Sequence, residues 1–261
     1  MTVRIALLGL GEAEPGDRPG PRRHAARTCA ASTPGPTRAA GVERRSDDAD
    51  AVRDADLVLS VNSSHDALPA LESSLPALAR GAIWADLNTA APALKAELAR
   101  RLAGRDVAVA DVALMAPVPG RGLRTPMLVS GDAAVRYAGI LAGYGADVTV
   151  QPGPAGAAIS RKLLRSVFYK GVAAAVVEAL AAAEAAGCAQ WLRDDIGAEL
   201  AGFDEHTIDR LVDGTRRHAR RRADEMTAAS EQLVALGVPP RIASAARDLL
   251  IELRDRENPQ P

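Results

Sequence analysis

The chain has 261 residues, enough for one large domain or two moderate ones with a core of their own. Its net charge of −1 offers no basic field for nucleic acid or anionic lipid, and its two cysteines, Cys29 and Cys188, make no disulfide scaffold. No apolar run reaches the roughly 18 residues of a membrane span, and Met1–Leu10 is too short an apolar stretch for a secretory leader, so a cytoplasmic protein without nucleic-acid or membrane partners is expected.

The text opens on Val3–Glu12, VRIALLGLGE, in which an apolar run ends at Gly9. It predicts a strand covered on both faces, followed by a tight Gly9-Leu10-Gly11 turn whose amides can approach a dinucleotide pyrophosphate. Residues 13–34 should then hold the first helix and the second strand. They are rich in Pro, Arg and Ala instead, with no apolar periodicity. One reading is a surface loop; the other is a local shift of reading frame. Back-translation of Arg27–Gly35 with G/C-rich codons, read from the third base, gives His-Val-Arg-Gly-Phe-Asp-Pro-Gly. That is a strand ending in the acidic residue a dinucleotide site places on a ribose hydroxyl.

From residue 42 to 151, strand and helix signals alternate. Strands are predicted at Asp56–Val61, Ala82–Leu87, Val107–Val112, Met127–Ser130 and Asp147–Val150. A weak helical stretch runs up to Arg80, a helix starts at Pro92 and stops before Gly104, and another covers Asp132–Ala142. Such alternation predicts a parallel sheet with helices on both faces. Beyond Gly153-Pro154 the text becomes helical throughout. A long, mostly buried helix is expected from Ala155 to about Ala186, followed by helical patterns at 189–201, 204–235 and 239–256. The expected architecture is an α/β Rossmann-like domain over 1–152 followed by an all-α domain over 153–261.

Several segments, in order, resemble the β-hydroxyacid dehydrogenases, the group of 6-phosphogluconate and 3-hydroxyisobutyrate dehydrogenases. The match is to a bacterial branch with its own α-helical C-terminal domain, labelled 6-phosphogluconate dehydrogenase-like. Gly9-Leu10-Gly11-Glu12 resembles the family's cofactor turn, with Glu14 where a third small residue is usual. Ser60-Val61-Asn62 matches a strand end that lies against the cofactor in the family. Asp86-Leu87-Asn88-Thr89 with Pro92 resembles Asp-x-Ser-Thr-x-x-Pro, with Asn88 for serine. Asp111–Gly122 resembles the loop that holds a substrate carboxylate, with Pro119 for serine and Arg121 between Gly120 and Gly122. Gly156 followed by Arg161–Ser166 resembles the segment bearing the catalytic lysine; Lys162 matches that lysine, and Arg165 and Ser166 replace asparagines.

The resemblance implies NADP or NAD as cofactor and hydride exchange with a small hydroxy acid, with Lys162 as general base or acid. Gly9, Leu10, Gly11, Glu12, Asn62, Ser63 and Thr89 would contact the cofactor. Asn88, Pro119, Gly120, Arg121, Gly122, Arg165 and Ser166 would contact the substrate. No metal site is expected. A lysine that titrates near 10.4 must fall by roughly 2–3 pH units to act near neutrality, which desolvation and neighbouring cations favour. On a helix, Lys162, Arg165, Ser166 and Tyr169 share a face. Imine reduction on the same scaffold is a near variant. The alternative from another class is an impaired relic or binding module that lost cofactor affinity through residues 13–34. The apolar C-terminal helix further predicts a homodimer. Sequencing the gene across residues 13–34 in all frames should give the shifted strand; a single open frame through the written text would remove that reading.

Overall fold

The computed structural model describes residues 3–9, 27–30 and 42–257. They divide into two compact units, Met1–Arg165 and Ser166–Pro261. The division falls inside the longest helix.

The first unit is built on one sheet. Its strands are β1 (Arg4–Leu8), β2 (Arg27–Ala30), β3 (Val42–Arg44), β4 (Leu57–Ser60), β5 (Ile83–Asp86), β6 (Ala108–Leu114), β7 (Met127–Ser130) and β8 (Val148–Val150), in the order β3-β2-β1-β4-β5-β6-β7-β8. The centre, β1-β4-β5-β6, is parallel as expected. Two departures occur. β7 runs antiparallel to β6, although β8 is parallel to β7. At the other edge β2 and β3 are each antiparallel to their neighbour. The anomalous segment thus contributes β2, in the direction opposite to the expected second strand. An antiparallel neighbour needs no crossover helix. The rest of residues 13–34, apart from β2, lies outside the described residues.

The strands form because their residues are apolar on both sides, as covered strands require. Leu57, Ile83 and Ala85 face one layer with Val112, Val129 and Tyr137. Val58 and Trp84 face the other with Leu8, Leu71, Leu98 and Leu102. Each layer is roofed by helices: α1 (Asp48–Val52), α2 (Ala67–Ser74) and α3 (Pro92–Leu102) on the Trp84 side, and α4 (Ala134–Ala142) on the Tyr137 side. Sequence explains their ends. Asp47 caps α1 by accepting from Asp50 N at 2.8 Å. Pro92 opens α3, and Arg100 and Arg101 lie in its last turn, where cations complement the helix dipole.

Helix α5 (Ala157–Ala185) begins in the first unit and ends in the second. Its first turn is buried through Ala158 and Ile159, which pack with Ala113. Its middle departs from the expected burial, with Val167 and Val177 73% and 69% exposed, while Ala182 and Ala183 near its end are buried. On length and composition alone α5 could cross a membrane, with a mean hydropathy of 1.5 over its most apolar window.

The second unit adds α6 (Ala189–Ala201), α7 (Thr207–Arg217), α8 (Ala219–Ala235) and α9 (Arg241–Glu257). The single helical pattern expected over 204–235 is two helices, parted at His218, whose φ of −117° and ψ of 21° are not helical. Glu178 on α5 accepts from Ile242 N at 2.8 Å and Ala243 N at 2.8 Å, capping α9 from outside. Burial pushes this carboxyl up, but the amides and Arg241 outweigh it and hold Glu178 below the ordinary carboxylate range. Its stabilisation is therefore complete above the ordinary glutamate range and is lost as pH falls through the native value. Glu178→Gln should lower Tm at about pH 7 and approach the wild-type Tm at about pH 3. A gap that stays constant between those two pH values would contradict this role.

Candidate functional site

The site lies at the carboxyl ends of the parallel strands, where ligands bind in open α/β sheets. Its foundation is a row of polar residues that the register lines up. Ser60 pairs with Asp86, Asp86 with Asp111, and Asp111 with Ser130. Partners in register point to the same face of a sheet. Here that face is the Trp84 side, so the row closes the end of an apolar layer. All four residues are buried.

Buried carboxylates need compensation. Lys95 on α3 provides it. Its side chain is 1% exposed, and its Nζ lies 2.6 Å from Asp86 Oδ2 and 3.3 Å from Asp111 Oδ1 and donates to the Asp86 main-chain oxygen at 2.9 Å. Burial pushes the Asp86 carboxyl up, opposed by the Lys95 ammonium and by hydrogen bonds from Asn88 and Ser60. Asn88 Nδ2 donates to Asp86 Oδ1 and, at 3.2 Å, to Ser60 Oγ. Asn62 Nδ2 donates to the same Ser60 oxygen at 3.2 Å. The chain Asn62–Ser60–Asn88–Asp86–Lys95–Asp111–Ser130 is thus continuous across four strands.

Above the row stand the residues the sequence singled out. Gly9 ends β1 with φ +93°, and a Cβ there would meet Asn62 Oδ1 and come within 2.5 Å of Val61 O. Only glycine fits this turn, and its backbone lies against the Asn62 side chain. Leu10, Gly11 and Glu12 lie outside the described residues. Thr89, just past β5, accepts from Lys162 Nζ at 2.9 Å. This pair brings the lysine segment and the Asn88-Thr89 segment together, 73 residues apart in the chain. Arg165 Nη1 donates to Met115 O at 3.1 Å, at the base of the Pro119–Gly122 loop. That loop is exposed and folded on itself: Arg121 N and Gly122 N both donate to Val118 O at 3.0 Å. Ser63 is engaged in a local turn, donating to Asp66 Oδ2 at 2.7 Å. Asn88 is buried within the row rather than at the surface of the site. Ser166 follows Lys162 by one turn of α5 and falls in the second unit.

Sequence reasoning gave no role to Lys95, to Ser130 or to the carboxylates of Asp86 and Asp111. The available signal was a polar residue closing each of several apolar strands, with a lysine in the helix that follows one of them. Removing one partner from a buried pair leaves charge uncompensated. Lys95→Met should therefore cost about 3–5 kcal/mol in urea denaturation. A loss below about 1 kcal/mol, the range of an exposed pair, would contradict a dry triad.

Comparison with known proteins places this geometry. Residues 183–253 match the domain of unknown function DUF1932. The search of curated proteins finds no match. A conserved hypothetical protein from Sinorhizobium meliloti 1021 is 32% identical, with 79% of this chain and 70% of that one covered and a TM-score of 0.49. An imine reductase from Myxococcus stipitatus, solved with NADP+, is 17% identical over 80% of this chain and 78% of that one, with a TM-score of 0.65. An imine reductase from Streptomyces aurantiacus is 18% identical over the same shares, with a TM-score of 0.64. The imine reductases show the fold; the Sinorhizobium relative and the DUF1932 match rest on sequence. The chain thus carries a DUF1932 match over residues 183–253 and shares the fold of the imine reductases.

Proposed function

We propose that this protein is an NAD(P)-dependent oxidoreductase that exchanges hydride between a nicotinamide and a small hydroxy acid, with Lys162 as general acid and base. The observation that carries the reading is the Lys162–Thr89 contact at the carboxyl edge of a parallel sheet. The Gly9 turn fits a dinucleotide, because its φ of +93° and the close approach of Val61 and Asn62 admit only glycine where β1 and β4 end together. The bound nicotinamide would supply the hydride acceptor or donor.

The chain's own residues do the rest. Thr89 Oγ1 accepts from the ammonium of Lys162 and so fixes the position of its Nζ. When the amine is neutral, the same nitrogen can take a proton from a substrate hydroxyl. Arg165, one turn along α5, supplies a guanidinium for a carboxylate. Gly120, Arg121 and Gly122 offer an exposed loop that can fold over a substrate. The similar imine reductases act on C=N bonds by their names; the lysine here favours alcohol chemistry, since a hydroxyl must lose its proton as the hydride departs.

Lys162→Ala should leave NADPH or NADH binding unchanged in a fluorescence titration and lower kcat by about 10²–10⁴-fold. Retained turnover would remove Lys162 from the mechanism. Absence of coenzyme binding by the chain as written would favour the relic reading.

The same reading includes a cytoplasmic homodimer. Supporting it, the helical unit leaves Phe168, Val177, Trp191 and Ile208 more than half exposed, and a helix apolar on several sides needs cover. A second copy of the chain is the occupant we assign to that surface. Light scattering at micromolar concentration should give twice the chain mass of 27.1 kDa; the mass of a single chain would overturn the assignment.

A further inference from the structure

The start of α5 is held by the sheet and not by a capping residue of its own. Asp111 Oδ2 accepts from Gly156 N at 2.9 Å and from Ile159 N at 3.1 Å. Ser130 Oγ accepts from Ala158 N at 2.9 Å and donates to Asp111 Oδ2 at 3.1 Å. Amides that a helix leaves unsatisfied at its start are thereby taken by two strand side chains. A carboxylate at this end also complements the positive end of the helix dipole. The other oxygen of Asp111 faces Lys95 Nζ at 3.3 Å, so both its oxygens are committed.

The turn into α5 is equally constrained. Gly156 has φ +107°, and a Cβ there would come within 2.9 Å of Pro92 O, at the start of the helix that carries Lys95. Lys162 follows Ile159 by three residues, about one turn. Slipping the helix by one residue would rotate it by about 100° and carry the ammonium away from Thr89.

We propose that Asp111 is a positioning residue for Lys162: by capping α5 from the sheet it sets the helix rotation that brings Lys162 Nζ to Thr89 Oγ1, and Lys95 holds Asp111 in place. The functional importance of this rests on the reading of Lys162 as the proton-transfer group. The positioning itself can be measured without turnover.

The test is competitive acylation of the full chain with acetic anhydride across a pH series, read peptide by peptide by mass spectrometry. It reports the reactivity and titration of Lys162, with Lys170 on the same helix as internal reference. Thr89→Val removes the contact at Lys162 directly. Asp111→Asn should move the reactivity and pH profile of Lys162 in the same direction as Thr89→Val, by about two- to tenfold, the population change expected for losing one hydrogen bond. Lys170 should not move. The double variant should add little to either single one, because both act through one contact. Should Asp111→Asn lose its cooperative thermal transition, Ser130→Ala takes its place: it frees Ala158 N, leaves the charge of Asp111 intact, and should shift Lys162 the same way by less. A folded Asp111→Asn or Ser130→Ala protein with the wild-type Lys162 profile overturns the proposal, as does a Thr89→Val protein in which Lys162 is unchanged. Full turnover in Lys162→Ala would instead overturn the catalytic reading and leave the positioning result standing.

Discussion

One ammonium between two carboxylates, Lys95 with Asp86 and Asp111, is the constraint from which the functional half of this protein is built. Three ionisable groups sit in a layer otherwise filled by Trp84, Leu98 and Leu102. Apolar residues of similar volume would often pack there without loss, so stability alone does not account for the triad. Its geometry does. Lys95 ties α3 to the end of β5 and the middle of β6, and Asp111 passes the tie on to the first turn of α5. The sheet, the helix on one face and the helix that leaves for the second unit are fixed at one point, directly beneath Thr89 and Lys162.

The polar row also explains why its neighbours are the residues they are. Ser60 is small enough to let Asn62 and Asn88 reach one oxygen from two strands. Asn62 in turn occupies the space beside Gly9, which holds that position to glycine. The Gly9 turn and the start of α5 are thus joined by a chain of hydrogen bonds and the Lys95 ion pairs, each of modest net worth but costly to leave unmade in a dry interior.

Much of this was legible in the text and some was not. The central strands were readable because Leu57–Ser60, Ile83–Asp86 and Ala108–Leu114 are apolar enough to be covered on both faces, and α3 because Pro92 opens it. The pairing of Lys162 with Thr89 was foreshadowed only by family resemblance, since nothing local joins residues so far apart. Strand direction was not readable: β7 and the β2 edge carry the same apolar signal whichever way they run. Nor was the row. Ser60, Asp86 and Ser130 each look like the polar end of a strand and Asp111 like a lone carboxylate inside one, and only the register puts them side by side. The break at His218 was hidden because Arg216–Arg222 keeps helical composition through it. The expected burial of α5 holds at Ala158, Ile159, Ala182 and Ala183 and fails between them, where Val167 and Val177 are exposed.

The central claim is that α5 is anchored to the sheet by Asp111 and Ser130, and amide hydrogen exchange addresses it most directly. If the anchor is as described, the amides of Gly156, Ala158 and Ile159 should exchange as slowly as those of β5 and β6, opening only with the whole unit. Exchange of these three amides at the rate of the exposed Pro119–Gly122 loop, while β5 and β6 stay protected, would contradict it.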